Sequence, residues 1–451
     1  MSKRNDALNG VPDSAPVSAR AWFTLAILVL MLVLSYLDRS LIALLVKPIK
    51  ESLQISDVQI GLLYGLAFGL FYAFFSFPLG WLADRWSRRG VIWACITIWS
   101  VATAACGLAN TFWGLALARF AVGFGEGGLS PAAYRMLGDA FPKRRMGLAL
   151  GIFGAGAGLA IPVSYLLGGR LVDWALNSGG AILPFIGKVE GWHLVFLILG
   201  PPGVLLAPLI FLAPNRVAAD HAQAAAGAQA DTAADQIGLF AFVRSRWRYM
   251  LLVFVGFGFC ALFSYGVGAW APTFYQRRFG LTMTEIGVSM ALVNGVATTL
   301  CFTGGGWITD RWFARGVTDA HFRYFLLCLP FAVLGGLFGL VVADRPALAF
   351  AGMGLIWLMV PSSAAAASHL QLSTPRHLRG RVSALFVMVF NVVGLTTGPV
   401  VVALLTEHAF HDPAKIGLAI AATLAVSGVA AFVLLALAMK PARAAIAAME
   451  D

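Results

Sequence analysis

Twelve long apolar segments dominate the sequence, and they restrict its possible folds more than any other feature. A helix needs about 20 predominantly apolar residues to cross the hydrocarbon layer of a bilayer. The segments lie at residues 21–46, 58–82, 90–109, 112–137, 146–168, 192–213, 249–273, 285–308, 323–342, 347–372, 382–405 and 416–439. We therefore predict an all-α integral membrane protein with twelve transmembrane helices, numbered here as spans 1 to 12.

The low share of charged residues separates this chain from soluble proteins. Charged residues make up 12% of the sequence and hydrophobic residues 59%, whereas a soluble domain carries about 25% charged residues. The formal net charge of +11 could indicate a nucleic-acid partner, but the basic residues lie in short clusters between the apolar segments. This pattern is typical of cytoplasmic loops, so we expect the lipid bilayer as a partner and no nucleic acid.

The distribution of Lys and Arg also predicts the orientation. When the spans are counted from the N terminus, most of the 32 basic residues fall on the same side as that terminus. Because positively charged loops remain in the cytoplasm, we predict that both termini are cytoplasmic. The first apolar segment is too long for a cleavable signal and is expected to be a retained span. We expect the protein in the inner, or plasma, membrane.

No pattern in the sequence predicts a cofactor or a metal site. All five cysteines lie within apolar segments, where neither a structural disulfide nor a thiolate metal site is expected. The glycine pattern of Gly123–Gly128 matches a dinucleotide fingerprint only as text, because no strand precedes it. Nucleophile–base sets, aspartyl pairs and HExxH motifs are absent from the sequence, so we predict that the chain is not an enzyme.

Two loop motifs occur twice, and their spacing divides the chain into halves. Gly80–Trp86 recurs 226 residues later as Gly306–Trp312, and Pro142–Gly147 recurs 233 residues later as Pro375–Gly380. Duplicated six-span halves are typical of transporters. The predicted parts are a cytoplasmic N-terminal tail (1–20), a six-helix bundle (21–213), a cytoplasmic linker (214–247), a second six-helix bundle (248–440) and a cytoplasmic C-terminal tail (441–451).

The motif Gly80–Arg89 resembles the loop signature of the major facilitator superfamily, and Arg119–Glu126 resembles its fourth-helix signature. The resemblance covers roughly residues 18–440. It implies two pseudo-symmetric six-helix bundles, alternating access and a cytoplasmic gate in which Asp84 faces the N terminus of span 11 and Asp310 that of span 5. The gating residues that it predicts are Asp84, Arg88, Asp139, Asp310 and Arg311.

Shorter motifs resemble a narrower family. Tyr36–Arg39, Gly125–Glu126 and Leu137–Pro142 are similar to motifs of the Spinster-like lipid transporters. This resemblance implies proton-coupled movement of a lysolipid or a phosphorylated sphingoid base. The organic anion:cation symporters share an acidic–basic pair in their first helix, which leaves small carboxylates or phosphorylated metabolites as an alternative substrate class. A membrane sensor that does not transport is a second alternative.

Four ionisable residues are expected inside the spans of the first half: Asp38 and Arg39 in span 1, and Arg119 and Glu126 in span 4. Arg119 and Glu126 are seven residues apart, so they share one helix face at a spacing of about 10 Å along the axis. The superfamily resemblance places spans 1 and 4 side by side. The pairs Asp38–Arg119 and Arg39–Glu126 would then neutralise all four charges.

Ionisable residues inside a membrane usually mark the path of an ion or a substrate. We predict that Glu126 and Asp38 exchange protons and that Arg39 or Arg119 binds an anionic head group; a static salt-bridge cluster is the alternative. Spans 7 to 12 carry no charged residue in their cores, so the second half is expected to receive the apolar part of the substrate. These features predict a small amphipathic anion as substrate, protons as the coupling ion and a monomeric protein.

Overall fold

Membrane-spanning helices account for most of the computed structural model of this chain. The structure describes residues 17–184, 187–213, 238–359, 361–375 and 378–450, without the side chains of residues 84, 143, 144, 302 and 448–450. The predicted linker 214–247 and N-terminal tail fall largely outside these ranges. The described helices that are long and apolar enough to cross a membrane are Ala19–Leu44, Asp57–Ala83, Arg88–Cys106, Arg145–Asn177, Gly191–Leu212, Trp247–Phe279, Met283–Ala314, Ala320–Val342, Pro346–Leu372, Arg379–Ala409 and Pro413–Ala447.

Two consecutive helices form the fourth span, which is why it is missing from that set of eleven. They are Phe112–Gly127 and Leu129–Ala140, and they meet at Gly128. Pro131 accounts for the interruption, because it has no N–H to donate to the carbonyl of Gly127. A Cβ atom at Gly128 would lie 2.5 Å from Sγ of Cys95 in span 3, so glycine permits this close approach. With this divided span, the predicted twelve-span all-α fold is confirmed.

Short segments of other geometry interrupt several spans. The π-helical segments are Gly65–Leu70, Cys301–Gly305, Phe338–Val342, Val392–Thr396 and Leu405–Ala409. The 3₁₀ segments are Ala207–Leu212, Leu355–Met359 and Pro413–Lys415. Outside the spans lie the short helices Val46–Leu53 and Leu239–Ser245 and an antiparallel hairpin of Ala181–Leu183 with Gly187–Val189.

Several contacts between the two halves lie on one face of the bundle. Because twelve spans separate residues 19 and 447, both lie on the same face, called here the terminal face; the opposite face is the far face. At the far face, Arg277 of span 7 binds both carboxylate oxygens of Asp57 in span 2, at 2.9 and 3.0 Å. Spans 5 and 8 also touch there, since a Cβ atom at Gly287 would lie 2.3 Å from the carbonyl oxygen of Tyr165.

A second type of contact at the far face occurs once in each half. Asp173, near the end of span 5, accepts hydrogen bonds from the backbone N–H groups of Met283 (3.2 Å) and Thr284 (2.6 Å) at the start of span 8. Glu407, near the end of span 11, accepts one from the N–H of Val58 (3.0 Å) at the start of span 2. Each carboxylate therefore caps a helix of the opposite half, where exposed N–H groups favour an anion.

The capped helices also begin with the same local motif. Ser56 and Gln59 form a capping box at the start of span 2, and Thr282 and Glu285 form one at the start of span 8. The two boxes are 226 residues apart, the spacing of the repeated loop motif. The duplication of the chain thus extends to its far face, where it gives two equivalent contacts between the halves.

At the terminal face, by contrast, spans 5 and 8 lie apart. On span 5, a Cβ atom added at Gly147, Gly151 or Gly154 would meet no heavy atom of the described structure within 4 Å. These glycines share one side of the helix with Gly158, whose Cβ would contact Thr298 of span 8 at 3.2 Å. Spans 5 and 8 therefore separate toward the terminal face, and the structure is a conformation closed at the far face.

We predict that Asp173→Asn and Glu407→Gln each shift the population away from this conformation. Each change removes a charge from a helix N terminus, a contact worth about 0.3–1 kcal/mol and up to about 2 kcal/mol when partly buried. The ratio of conformations should therefore change by about two- to thirtyfold. Spin-label distances across the far ends of spans 5 and 8, and of spans 2 and 11, measure this ratio.

Glu285→Gln is the matched control for both variants. Glu285 accepts hydrogen bonds from the N–H and hydroxyl groups of Thr282 within its own helix start, so its loss weakens a cap without removing a contact between halves. Distance distributions that change equally in all three variants would contradict the prediction.

Candidate functional site

The first ion pair of the candidate site joins spans 1 and 4. Nε of Arg39 lies 2.6 Å from Oε2 of Glu126, and the hydroxyl of Ser35 donates to the same oxygen at 2.6 Å. The Glu126 side chain is completely buried, whereas that of Arg39 keeps 15% of its surface exposed. The other carboxylate oxygen of Glu126 has no hydrogen-bond partner among the residues that the structure describes.

The second ion pair lies beside the first and is more deeply buried. Nη1 of Arg119 lies 3.0 Å from Oδ2 of Asp38, and the hydroxyl of Thr103 in span 3 donates to Oδ1 at 2.8 Å. Both pairs expected from the sequence, Asp38–Arg119 and Arg39–Glu126, are thus present. The roles assigned to these four residues stay predictions, because a geometry of this kind also suits a static cluster.

Aromatic rings from span 2 hold the two arginines. The Phe68 ring lies between them, with its centroid 5.1 Å from Cζ of Arg39 and 4.8 Å from Cζ of Arg119. Tyr72 approaches Arg39 even more closely, at 4.4 Å. Cation–π contacts of this kind stabilise a guanidinium away from water. Sequence reasoning missed Phe68 and Tyr72, because span 2 contains many aromatic residues and nothing in the chain singles out these two.

A cavity of about 360 Å³ lies between the halves, next to the ion pairs. Arg39 and Arg119 line it, and neither Nη atom of Arg39 makes a hydrogen bond to any residue described in the structure. The rest of the wall is largely aromatic and aliphatic. Its members include Tyr36, Tyr64, Phe68, Tyr134, Ile161, Tyr165, Tyr265, Trp357, Phe390 and Leu395.

The second half contributes more polarity to the cavity than its sequence suggested. The hydroxyl-bearing residues Ser264, Ser362 and Ser363 all line the wall formed by spans 7 and 10. In the sequence Ser264 lies 98 residues before the adjacent pair Ser362 and Ser363, and all three look like isolated polar positions within apolar spans. Only the packing of span 7 against span 10 brings them into one cavity.

The predicted gating residues lie at the terminal face, away from the cavity. Arg88 at the start of span 3 forms an ion pair with Asp139 at the end of span 4. Arg311 stacks over Trp307 at 5.5 Å. Asp310 is exposed and makes no hydrogen bond or ion pair with the described residues, so its contact with the start of span 5 stays a prediction for another conformation. The side chain of Asp84 lies outside the described part of the structure.

The fold and the charged site together define a membrane transporter with two related halves around one cavity. A family model for the Major Facilitator Superfamily matches residues 28–399. The chain therefore belongs to the major facilitator superfamily, a family of transporters and not of enzymes.

Individual relatives differ in what they carry. An "MFS-type efflux pump" of Mycolicibacterium smegmatis is 31% identical and covers 87% of this chain and 86% of its own. A "Hexuronate transporter" of Bacillus subtilis is 24% identical over 72% and 74%. Among solved structures, an inward-facing bacterial homolog to the human lysosomal transporter Spinster matches with a TM-score of 0.71, 24% identity and 96% and 98% coverage. That likeness supports the fold.

We predict that Arg119→Gln destabilises the protein strongly, because it leaves Asp38 as a buried charge without its cation. Removing one partner of a buried ion pair costs about 3–5 kcal/mol. The double variant Asp38→Asn/Arg119→Gln removes both charges and should recover most of this loss. Thermal unfolding in detergent compares the variants, with the exposed Arg315→Gln as control. A double variant no more stable than Arg119→Gln would contradict the prediction.

Proposed function

We propose that this protein moves an amphipathic anion across the membrane by alternating access, coupled to protons at the Arg39–Glu126 pair. One observation carries the proposal: Arg39 lines the cavity and is bound to a buried carboxylate through Nε, while its two Nη atoms have no hydrogen-bond partner among the described residues. A guanidinium has five N–H donors in a planar fork. The edge of this arginine that does not bind Glu126 can therefore receive the head group of a substrate, which then competes with Glu126 for the guanidinium.

The coupling follows from competition for this guanidinium. An anion that binds the Nη atoms of Arg39 draws the guanidinium from Glu126, which leaves the carboxylate buried with the Ser35 hydroxyl as its remaining partner. A buried carboxylate without a cation is costly, so proton uptake is favoured. Asp38 is proposed as a second proton-exchanging group, and Arg119 as a second head-group contact, since they form the neighbouring pair.

The substrate that we propose is an anionic lipid of the lysolipid or sphingoid phosphate type. The support is a cavity with two arginines on one side and many aromatic and aliphatic residues around it. The second candidate is a small carboxylate or phosphorylated metabolite carried by a symporter. The similarity to a relative called a hexuronate transporter favours this candidate. A transport measurement in proteoliposomes also distinguishes both of these candidates from a membrane sensor that does not transport.

We propose the inner membrane as the location, a monomer as the working unit and the terminal face as the cytoplasmic side. The support for the orientation is the excess of Lys and Arg in the segments of that face. The gating residues Asp84, Arg88, Asp139, Asp310 and Arg311 are proposed to hold the terminal face shut when the far face opens. The exposure of Asp310 in a structure open at the terminal face agrees with this role.

Glu126→Gln should abolish the response of transport to a pH gradient. The amide keeps the size of the side chain and can accept hydrogen bonds from Ser35 and Arg39, but it cannot exchange a proton. Uptake into proteoliposomes with an imposed pH gradient measures the effect, and the exposed Glu51→Gln is the control. A pH profile of Glu126→Gln that matches the wild type would exclude Glu126 as the coupling group.

Arg39→Ala should lose anionic substrates while its proton-linked conformational change persists in part. Arg39→Lys keeps the charge but not the planar fork, so it should bind substrate more weakly than the wild type and better than Arg39→Ala. Binding of radiolabelled substrate to purified protein ranks the three, with the exposed Arg315→Ala as control. Unchanged affinity in Arg39→Ala would move the head-group contact to Arg119.

A further inference from the structure

We propose that Ser264, Ser362 and Ser363 form a hydrogen-bonding subsite for hydroxyl groups that lie next to the anionic group of the substrate. This inference rests on the proposed function and narrows its substrate class. The three serines belong to spans 7 and 10 of the second half, and they line the same cavity as Arg39 of the first half. A substrate held by Arg39 would therefore present its adjoining atoms to them.

The three hydroxyls make no hydrogen bond to any residue that the structure describes. Ser362 is only 3% exposed, while Ser264 and Ser363 are partly buried. Several other serines and threonines in the spans donate to the carbonyl oxygen four residues earlier. Examples are Ser40, Ser76, Ser164, Thr309, Thr406 and Thr423.

The local backbone explains why Ser362 and Ser363 differ from the other hydroxyls. Their partners four residues earlier would be Leu358 and Met359, which belong to the 3₁₀ segment Leu355–Met359. The α-helix resumes only at Ser362, after Pro361. The regular geometry for bonding back along the helix is therefore missing at these two positions. Ser264 lies in a regular helix, and the structure offers no comparable reason for its unbonded hydroxyl beyond its place on the cavity wall.

These hydroxyls line the cavity and are not used within the protein, so a ligand in the cavity can pair with them in place of water. Each serine can donate one hydrogen bond and accept others. It therefore suits a substrate hydroxyl, which also donates and accepts, as well as an oxygen of the anionic group. A site built to bind hydroxyls discriminates strongly against analogues that lack them. The ligand class is thus a hydroxylated anion, which should bind more tightly than a plain alkyl carboxylate or phosphate.

This chemistry occurs in two possible substrates, the glycerol head group of a lysophospholipid and a sugar acid. In either case the second half contacts the polar part of the substrate, contrary to the sequence-based expectation that it receives only the apolar part. An alkyl chain, where one is present, would lie against the aromatic and aliphatic wall that includes Ile161, Phe390 and Leu395.

Two matched probe pairs test the proposal on the purified full-length protein. The lipid pair is oleoyl lysophosphatidate, which has a free hydroxyl, and oleyl phosphate, which has none. The small-molecule pair is galacturonate and hexanoate. Binding of each radiolabelled probe is measured by scintillation proximity, and uptake is measured in proteoliposomes with a pH gradient. The variants are Ser264→Ala, Ser362→Ala, Ser363→Ala and the triple substitution.

Each single substitution should weaken binding of the hydroxylated probe by about two- to tenfold, the range of one neutral hydrogen bond. The affinity for the hydroxyl-free probe should stay the same. The preference for the hydroxylated probe over the hydroxyl-free probe should therefore fall in each single variant and fall further in the triple variant. The probe pair that shows this pattern identifies whether the substrate hydroxyl belongs to a lipid head group or to a sugar acid. Ser164→Ala is the control, because Ser164 is fully buried and bonds to the carbonyl of Ala160 at 2.6 Å.

Equal effects of the serine variants on both members of each pair, or no effect, would overturn the subsite. Failure of the proposed function has a different signature. A wild type that binds a hydroxylated probe but does not move it under a pH gradient would contradict transport, while the serine variants would still decide the subsite. A wild type that binds neither hydroxylated probe would overturn both.

Discussion

Pairing of charge inside the membrane is the constraint on which the rest of this structure depends. Arg39 with Glu126 and Arg119 with Asp38 place four charges at membrane depth, where an unpaired ion is very unfavourable. Spans 1 and 4 must therefore stay in register. A hydroxyl group of span 1 also donates to Glu126, and one of span 3 donates to Asp38. The aromatic rings of span 2 close the site, so four spans of the first half act as one unit around these charges.

The second half has no such charged core, and its ion pair and helix caps with the first half lie at the far face. There the contacts follow the duplication of the chain, since one carboxylate from each half caps a helix of the other. A symmetric pair of caps resists separation at two places at once. The glycine side of span 5 leaves the terminal face open. The cavity beside Arg39 is thus walled off from the far face, which is the arrangement that alternating access requires at one end of its cycle.

The cavity combines the two halves in a different way. The first half provides charge, and the second half provides neutral hydroxyls within an aromatic wall. Neutral groups cost less to bury than ions, and the four embedded charges stay in a single bundle. A ligand that contacts both walls would therefore interact with both halves at the same time. The second half, whose six spans carry no embedded charge, can thus contact a ligand through its hydroxyl groups.

Much of this protein was determined by its sequence alone. Twelve apolar segments and a repeated loop predicted the fold, because burial in a bilayer is a property of each segment by itself. The embedded residues Asp38, Arg39, Arg119 and Glu126 were identified for the same reason. Their pairing followed from charge neutrality once the superfamily resemblance had placed spans 1 and 4 side by side. The tertiary structure decided the rest: the arginine-binding ring of Phe68, the converging serines and the caps between halves. These depend on which groups distant helices bring together and leave unpaired, which no local pattern encodes.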